Sequence, residues 1–80
     1  MRASSTKIQN SNQTYTAIIQ QRGAWWIGWI EEIPGVNCQE KDQDRLIESL
    51  KITLLEALEF NRQEAIHAAE DDYHKVLIHV

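Results

Sequence analysis

The side chains here with the most obvious chemistry are one thiol and three imidazoles: Cys38, His67, His74 and His79. All four are zinc-ligand types, but a compact zinc site brings closely spaced ligands to one side of the chain. Six residues separate His67 from His74, too many for one helical turn. His74 and His79 stand an odd number of positions apart, so on a regular strand they face opposite ways. The histidines read as surface or strand-end residues, and no metal or cofactor is expected. Cys38 as a nucleophile would need a neighbouring base and a lowered pKa. Nothing adjacent supplies either, and it reads as a small buried hydrophobe. Gly23 and Gly28 do not make a phosphate loop, because no Lys-Ser/Thr follows them.

The tryptophans carry more. Trp25-Trp26-Ile27-Gly28-Trp29-Ile30 holds all three, and only Gly28 in it is not large and apolar. A strand with one wet face alternates apolar and polar residues. This one does not, so it reads as a central strand with Trp25, Ile27 and Trp29 on one face and Trp26, Gly28 and Ile30 on the other. Base stacking on the indoles would call for a basic groove, whereas the nearby charges are Arg22, Glu31 and Glu32. Trp26 reads as core. Trp25 and Trp29 read as interface residues, tryptophan being enriched where interfaces carry their energy.

Eighty residues with one cysteine and a net charge of −4 make one small domain without an internal disulfide. A chain this short is marginally stable alone and gains from a second chain. The acidic balance argues against non-specific nucleic-acid binding. No stretch approaches the about 18 apolar residues of a membrane span, and the N-terminus lacks the apolar core of a signal peptide. A soluble cytoplasmic protein is expected.

Residues 1–13 are dominated by Ser, Asn and Gln and are expected to form a flexible arm ahead of a single domain over residues 14–80. Residues 14–20 (TYTAIIQ) read as a strand, with Tyr15, Ala17 and Ile19 on one face and Thr16, Ile18 and Gln20 on the other. Arg22-Gly23 reads as a tight turn setting Ile19 opposite Trp26, Ala17 opposite Gly28 and Tyr15 opposite Ile30. The small residues Ala17 and Gly28 then leave a dent in which a helix could pack closely. Pro34-Gly35 ends the tryptophan strand, and residues 36–40 form a short third strand. Asp42 is the expected N-cap of a helix from residue 43 to about 60, with Asp44 near its positive end. Leu46, Ile47, Leu50, Thr53, Leu54, Ala57, Leu58 and Phe60 make its sheet-facing stripe. Ile52 and Leu55 lie almost opposite, which suggests that a second element covers them. Residues 61–72 are open between a short second helix, a continuation of the first, and a loop. Residues 74–80 (HKVLIHV) read as a final strand.

The expected fold is therefore α+β: a small antiparallel meander of three strands, then helix, then a fourth strand. The sheet order is 3-2-1-4, the last strand is parallel to the first, and the helices lie on one face. The face with Trp25, Ile27 and Trp29 then lacks a cover from its own chain. Together with Ile18, Ile52 and Leu55 these residues are the expected oligomer or partner interface.

Tyr15-x-Ala17-Ile18-Ile19, Trp26-Ile27-Gly28-Trp29-Ile30-x-x-Ile33-Pro34-Gly35-Val36-Asn37-x-Gln39 and a capped helix with Leu46, Leu50 and Leu54 resemble the HicB-like antitoxin family of toxin–antitoxin systems. The resemblance spans roughly residues 14–59. It departs where Glu40 stands in place of the family's usual glycine, and where Asp42 caps the helix in place of threonine. It implies a truncated ribonuclease H-like fold and a homodimer or higher oligomer. It also implies a partner: a small basic HicA-like toxin that cleaves messenger RNA, which the antitoxin blocks by occlusion. The chain stops at Val80, so the short form without a C-terminal DNA-binding domain is expected and operator binding is not carried over. The link to ribonuclease H raises a two-metal nuclease, which needs carboxylates converging from strand centres. There are none between residues 14 and 30, so no enzymatic activity is expected. The alternative is a stand-alone homo-oligomeric structural or regulatory protein of the same fold without a toxin.

Overall fold

The computed structural model describes residues 3–10 and 13–79. They form β1 (Ala3–Asn10), β2 (Gln13–Arg22), β3 (Trp25–Ile30), β4 (Asn37–Glu40) and α1 (Gln43–Ala69). The four strands make one antiparallel sheet in chain order, β1-β2-β3-β4.

This corrects the expected fold. The meander, a helix on one face and the central tryptophan strand are present. However, among the described residues no strand follows α1 and there is no second helix. The 3-2-1-4 order fails because the position beside β2 is already filled. β1 pairs there over eight positions, from Ala3↔Gln20 to Asn10↔Gln13. The segment read as a loose arm thus contributes a strand. Its polar composition is no obstacle, since a ladder is built from backbone N–H and C=O groups that every residue here supplies. Residues 70–79 lie outside helix and strand, with Val76, Leu77 and Ile78 largely in water.

The β2–β3 hairpin sits two positions from the expected register, with Ala17↔Ile30, Ile19↔Gly28 and Gln21↔Trp26. The loop is Gly23-Ala24 rather than Arg22-Gly23. Gly23 takes φ +59 and Ala24 stays at negative φ, the pattern of a type II′ turn with glycine first. A slip of two keeps every side chain on its face. At the other end Pro34 precedes Gly35 at φ +89, as a type II turn requires. There the Ile30 N–H donates to the Val36 carbonyl at 3.0 Å.

The core lies between α1 and one sheet face. Tyr15, Ala17, Ile19, Ile30 and Val36 meet Leu46, Leu50 and Leu54, with Trp26, Cys38, Ile47, Ala57 and Leu58 around them. The dent is real. A Cβ on Gly28 would meet Leu50 Cδ1 at 3.0 Å, the Ile18 carbonyl oxygen at 3.1 Å and Ile19 Cγ2 at 3.2 Å. Beside it, Cys38 Sγ lies 3.4 Å from Thr53 Oγ1.

Helix α1 begins at Asp42, whose Oδ1 accepts from the Arg45 N–H at 2.8 Å. Removing that acceptor in Asp42→Ala should destabilise the domain by about 0.5–2 kcal/mol, read as a lowered denaturant midpoint with an unchanged slope. No Gly or Pro interrupts residues 43–69, and the helix runs through the stretch left open in the sequence. Its 27 residues make a rod about 40 Å long. All three of its fully buried residues lie in its first half. Phe60, expected against the sheet, is 65% exposed because the helix has by then run past the strands. The helix stops at Glu70, where φ turns to 62° and the N–H donates to the His67 carbonyl at 3.1 Å.

Candidate functional site

Burial on one sheet face leaves the other open. Strand alternation and register place Ile18, Trp25, Ile27 and Trp29 there, with Ile18 across from Trp29 and Arg22 across from Trp25. Trp25 and Trp29 are 38% and 37% exposed, although they stand in an inner strand with a ladder on both sides. Polar neutral side chains flank them: Thr16 and Gln20 on β2, Asn37 and Gln39 on β4.

Charged residues stand at both ends of this face, and the β1–β2 register sets Lys7 across from Thr16 at the Glu31/Glu32 end. At the hairpin end, Arg22 donates to Gln20 Oε1 at 3.0 Å, and Lys41 Nζ stands 4.3 Å from the centre of the Trp25 ring, a cation–π contact. At the opposite end the ladder continues one step, the Glu31 N–H donating to the Thr16 carbonyl at 2.9 Å. There the Glu32 carboxylate accepts from the Thr16 N–H at 2.8 Å. The acid within β4, Glu40, is turned to the helix instead and accepts from Ser49 Oγ at 2.7 Å.

Ile52 and Leu55 are not part of this patch. They are exposed on the side of α1 away from the sheet, so the six expected interface residues divide between two surfaces on opposite sides of the molecule. The expectation missed what surrounds Ile52. Asp44, Glu48, Ile52, Glu56 and Phe60 recur every fourth residue, so they line one row of the helix, and all five are exposed. Ile52 is 57% exposed, and Lys51 Nζ reaches Glu48 Oε1 at 3.5 Å from the neighbouring row. The row carries three acids and no base. Reading the sequence at a spacing of four, rather than for the apolar stripe alone, would have found it.

Next to this row a short ion pair braces the overhanging part of the helix. Arg62 donates to both oxygens of Glu59, at 2.9 and 2.6 Å, and Gln63 adds a third bond at 3.0 Å. The hydrogen bonds from Arg62 and then Gln63 draw the Glu59 pKa from 4.5 down to about 2. A depressed carboxylate stabilises the fold above the unfolded pKa and loses that effect as pH falls through the folded value. Between about pH 4.5 and 2, the protection of the amides in the last turns of α1, taken relative to their intrinsic exchange rate at each pH, should therefore fall ahead of that of the rest of the domain. Because the pair stands in water, molar salt should remove most of the effect.

Among the described residues, no three His, Cys, Asp or Glu side chains are placed to share a metal ion, and no helix is long and apolar enough to cross a membrane. No protein-family model, curated protein or solved structure matches the chain.

Proposed function

We propose that this chain is a non-catalytic protein-binding module that acts as an antitoxin-like inhibitor of a small, basic, RNA-cleaving protein. The acid-lined row on the outside of α1 carries this reading. An RNA-cleaving protein holds its substrate on a cationic surface. An inhibitor that works by occlusion needs the opposite charge, set around apolar side chains that exclude water. Asp44, Glu48 and Glu56 supply the charge; Ile52 and Phe60 supply the apolar anchors. The resemblance carried by residues 14–59 points to the same class of partner. Inhibition is steric, and no residue of this chain takes part in a reaction.

The test is co-expression with the small open reading frame flanking the gene, scored by growth rescue, together with binding kinetics of the purified pair. Reversing two acids in Glu48→Lys/Glu56→Lys should cut the association rate about tenfold or more and flatten its dependence on salt. Rescue and association by this variant equal to those of the unaltered chain would refute docking through α1. A flanking product that is not toxic would favour the stand-alone homo-oligomer.

A further inference from the structure

We infer that the outer edge of β4 is a docking site for one extended, basic segment of a partner protein, which joins the sheet there as an added antiparallel strand. The inference deepens the inhibitor reading, on which it rests for the sign of the partner's charge.

β4 is the last strand of the sheet, and among the described residues nothing pairs with its outer side. The ladder fixes which groups it offers there. The Ile30 N–H donates to the Val36 carbonyl, so this is a hydrogen-bonded position, and by alternation Gly28↔Cys38 and Trp26↔Glu40 are hydrogen-bonded too. Asn37 and Gln39 fall between them, and their N–H and C=O groups point away from β3. They form a template for one more strand. The other edge of the sheet, β1, carries Lys7 at mid-strand, a residue type that blunts edges, whereas β4 has no base from Asn37 to Glu40.

What flanks this edge selects the occupant. On the helix side a cleft of about 400 Å³ is lined by Glu40, Asp44, Arg45, Glu48, Ser49 and Ile52. It holds three acids against one base, and that base is drawn aside to Asp42 at 3.4 Å. Two other bases stand near. Lys51 reaches Glu48 at 3.5 Å from solvent, and Lys41 lies over the Trp25 ring on the open face. On that open face the edge is bordered by Ile27, Trp29, Asn37 and Gln39, none of them charged. Successive side chains of an added strand point to opposite faces. Those across from Cys38 and Glu40 meet the acid-lined cleft, and those across from Asn37 and Gln39 lie beside Trp29 and Ile27. The segment that fits therefore alternates lysine or arginine with apolar residues. Its backbone supplies affinity, and its two rows of side chains supply specificity.

The test titrates the full chain, followed by amide NMR, with a blocked peptide of about seven residues that alternates lysine with valine. Saturable binding should slow hydrogen exchange at Asn37 and Gln39. With its lysines over the cleft, the peptide turns the valine N–H groups toward β4 and the lysine N–H groups away. N-methylation of the valines should weaken binding about tenfold or more, and N-methylation of the lysines should leave it unchanged. Gln39→Pro removes an outward N–H and no ladder bond, so it should weaken the unmodified peptide to the same degree while circular dichroism stays that of the wild type. Equal losses with the two methylated peptides overturn strand addition, as does unchanged exchange at Asn37 and Gln39. So does a chain that is already dimeric, with both amides protected before peptide is added. Slowed association of the flanking product with Glu48→Lys/Glu56→Lys but not with Gln39→Pro also overturns it, and leaves the inhibitor reading standing on the helix alone. Peptide binding at the edge beside a flanking product that is not toxic has the reverse meaning: the strand site stands and the inhibitor reading fails.

Discussion

Leu50→Ala is expected to destabilise the domain by about 2–5 kcal/mol, the largest effect of any single truncation here. Leu50 has no exposed surface and sits at the middle of the three fully buried leucines on α1. Its Cδ1 reaches into the dent over Gly28, where neighbouring strand residues cannot move in to fill a void because they are fixed in the ladder. A chain of 80 residues has a total stability of about 4–12 kcal/mol. The substitution should therefore remove about a sixth of it at the least, and a third or more across most of these ranges. Thermal or urea unfolding followed by far-ultraviolet circular dichroism will show this; a loss under 1 kcal/mol would mean that α1 is not seated as described.

Gly28→Ala is the converse experiment, adding a methyl group where Leu50→Ala removes a side chain. The new Cβ would lie 3.0 Å from Leu50 Cδ1 and 3.1 Å from a backbone oxygen of β2. The leucine tip can rotate, but the carbonyl cannot retreat without opening the β2–β3 ladder. Overpacking of this kind costs about 1–3 kcal/mol. The two substitutions should couple: with Leu50 already truncated, the added methyl group enters vacated space and costs less. A double-mutant cycle with additive losses would separate Gly28 from the helix and place its intolerance in the sheet backbone alone.

Much of this contact could be anticipated from residue types. Gly28 among large apolar side chains announced a close approach, although Ala17 does not face it, and the 3.6-residue period of Leu46, Leu50 and Leu54 announced what fills it. A slip of two in the hairpin did no harm because strand faces repeat every two residues. Gly23 marked the turn, but the choice between glycine first and glycine second depends on backbone twist. β1 was missed because its residues are polar, and hydrophobic patterning is silent about strands held mainly by their backbone. Residues 74–80 erred in the other direction. Their alternation is strand-like, yet the place expected for them beside β2 is taken by β1, and residues 74–79 pair with neither of the two outer edges. The shared face of Ile18, Trp25, Ile27 and Trp29 was legible from strand alternation, whereas Ile52 and Leu55 lie on the helix away from it. The acid-lined row was overlooked because each acid by itself resembles an ordinary solvated helix position.

The overhang of α1 implies that this helix has two different stabilities along one rod. From Gln43 to Leu58 its hydrogen bonds are locked by the sheet, and breaking them means unfolding the domain. From Glu59 to Ala69, about 16 Å of helix, the bonds rest on local propensity and on the Glu59–Arg62–Gln63 brace. These residues extend a helix already nucleated by its seated half, so they bear no nucleation cost but gain no burial against the sheet. That segment should therefore open locally more often than the domain unfolds as a whole, held besides by residues 73–75, which lie against Arg62, Ala65, Ile66 and Ala69. A protein that grips this segment must first still it, and binding there would register as slowed proton exchange long before any shift in melting temperature.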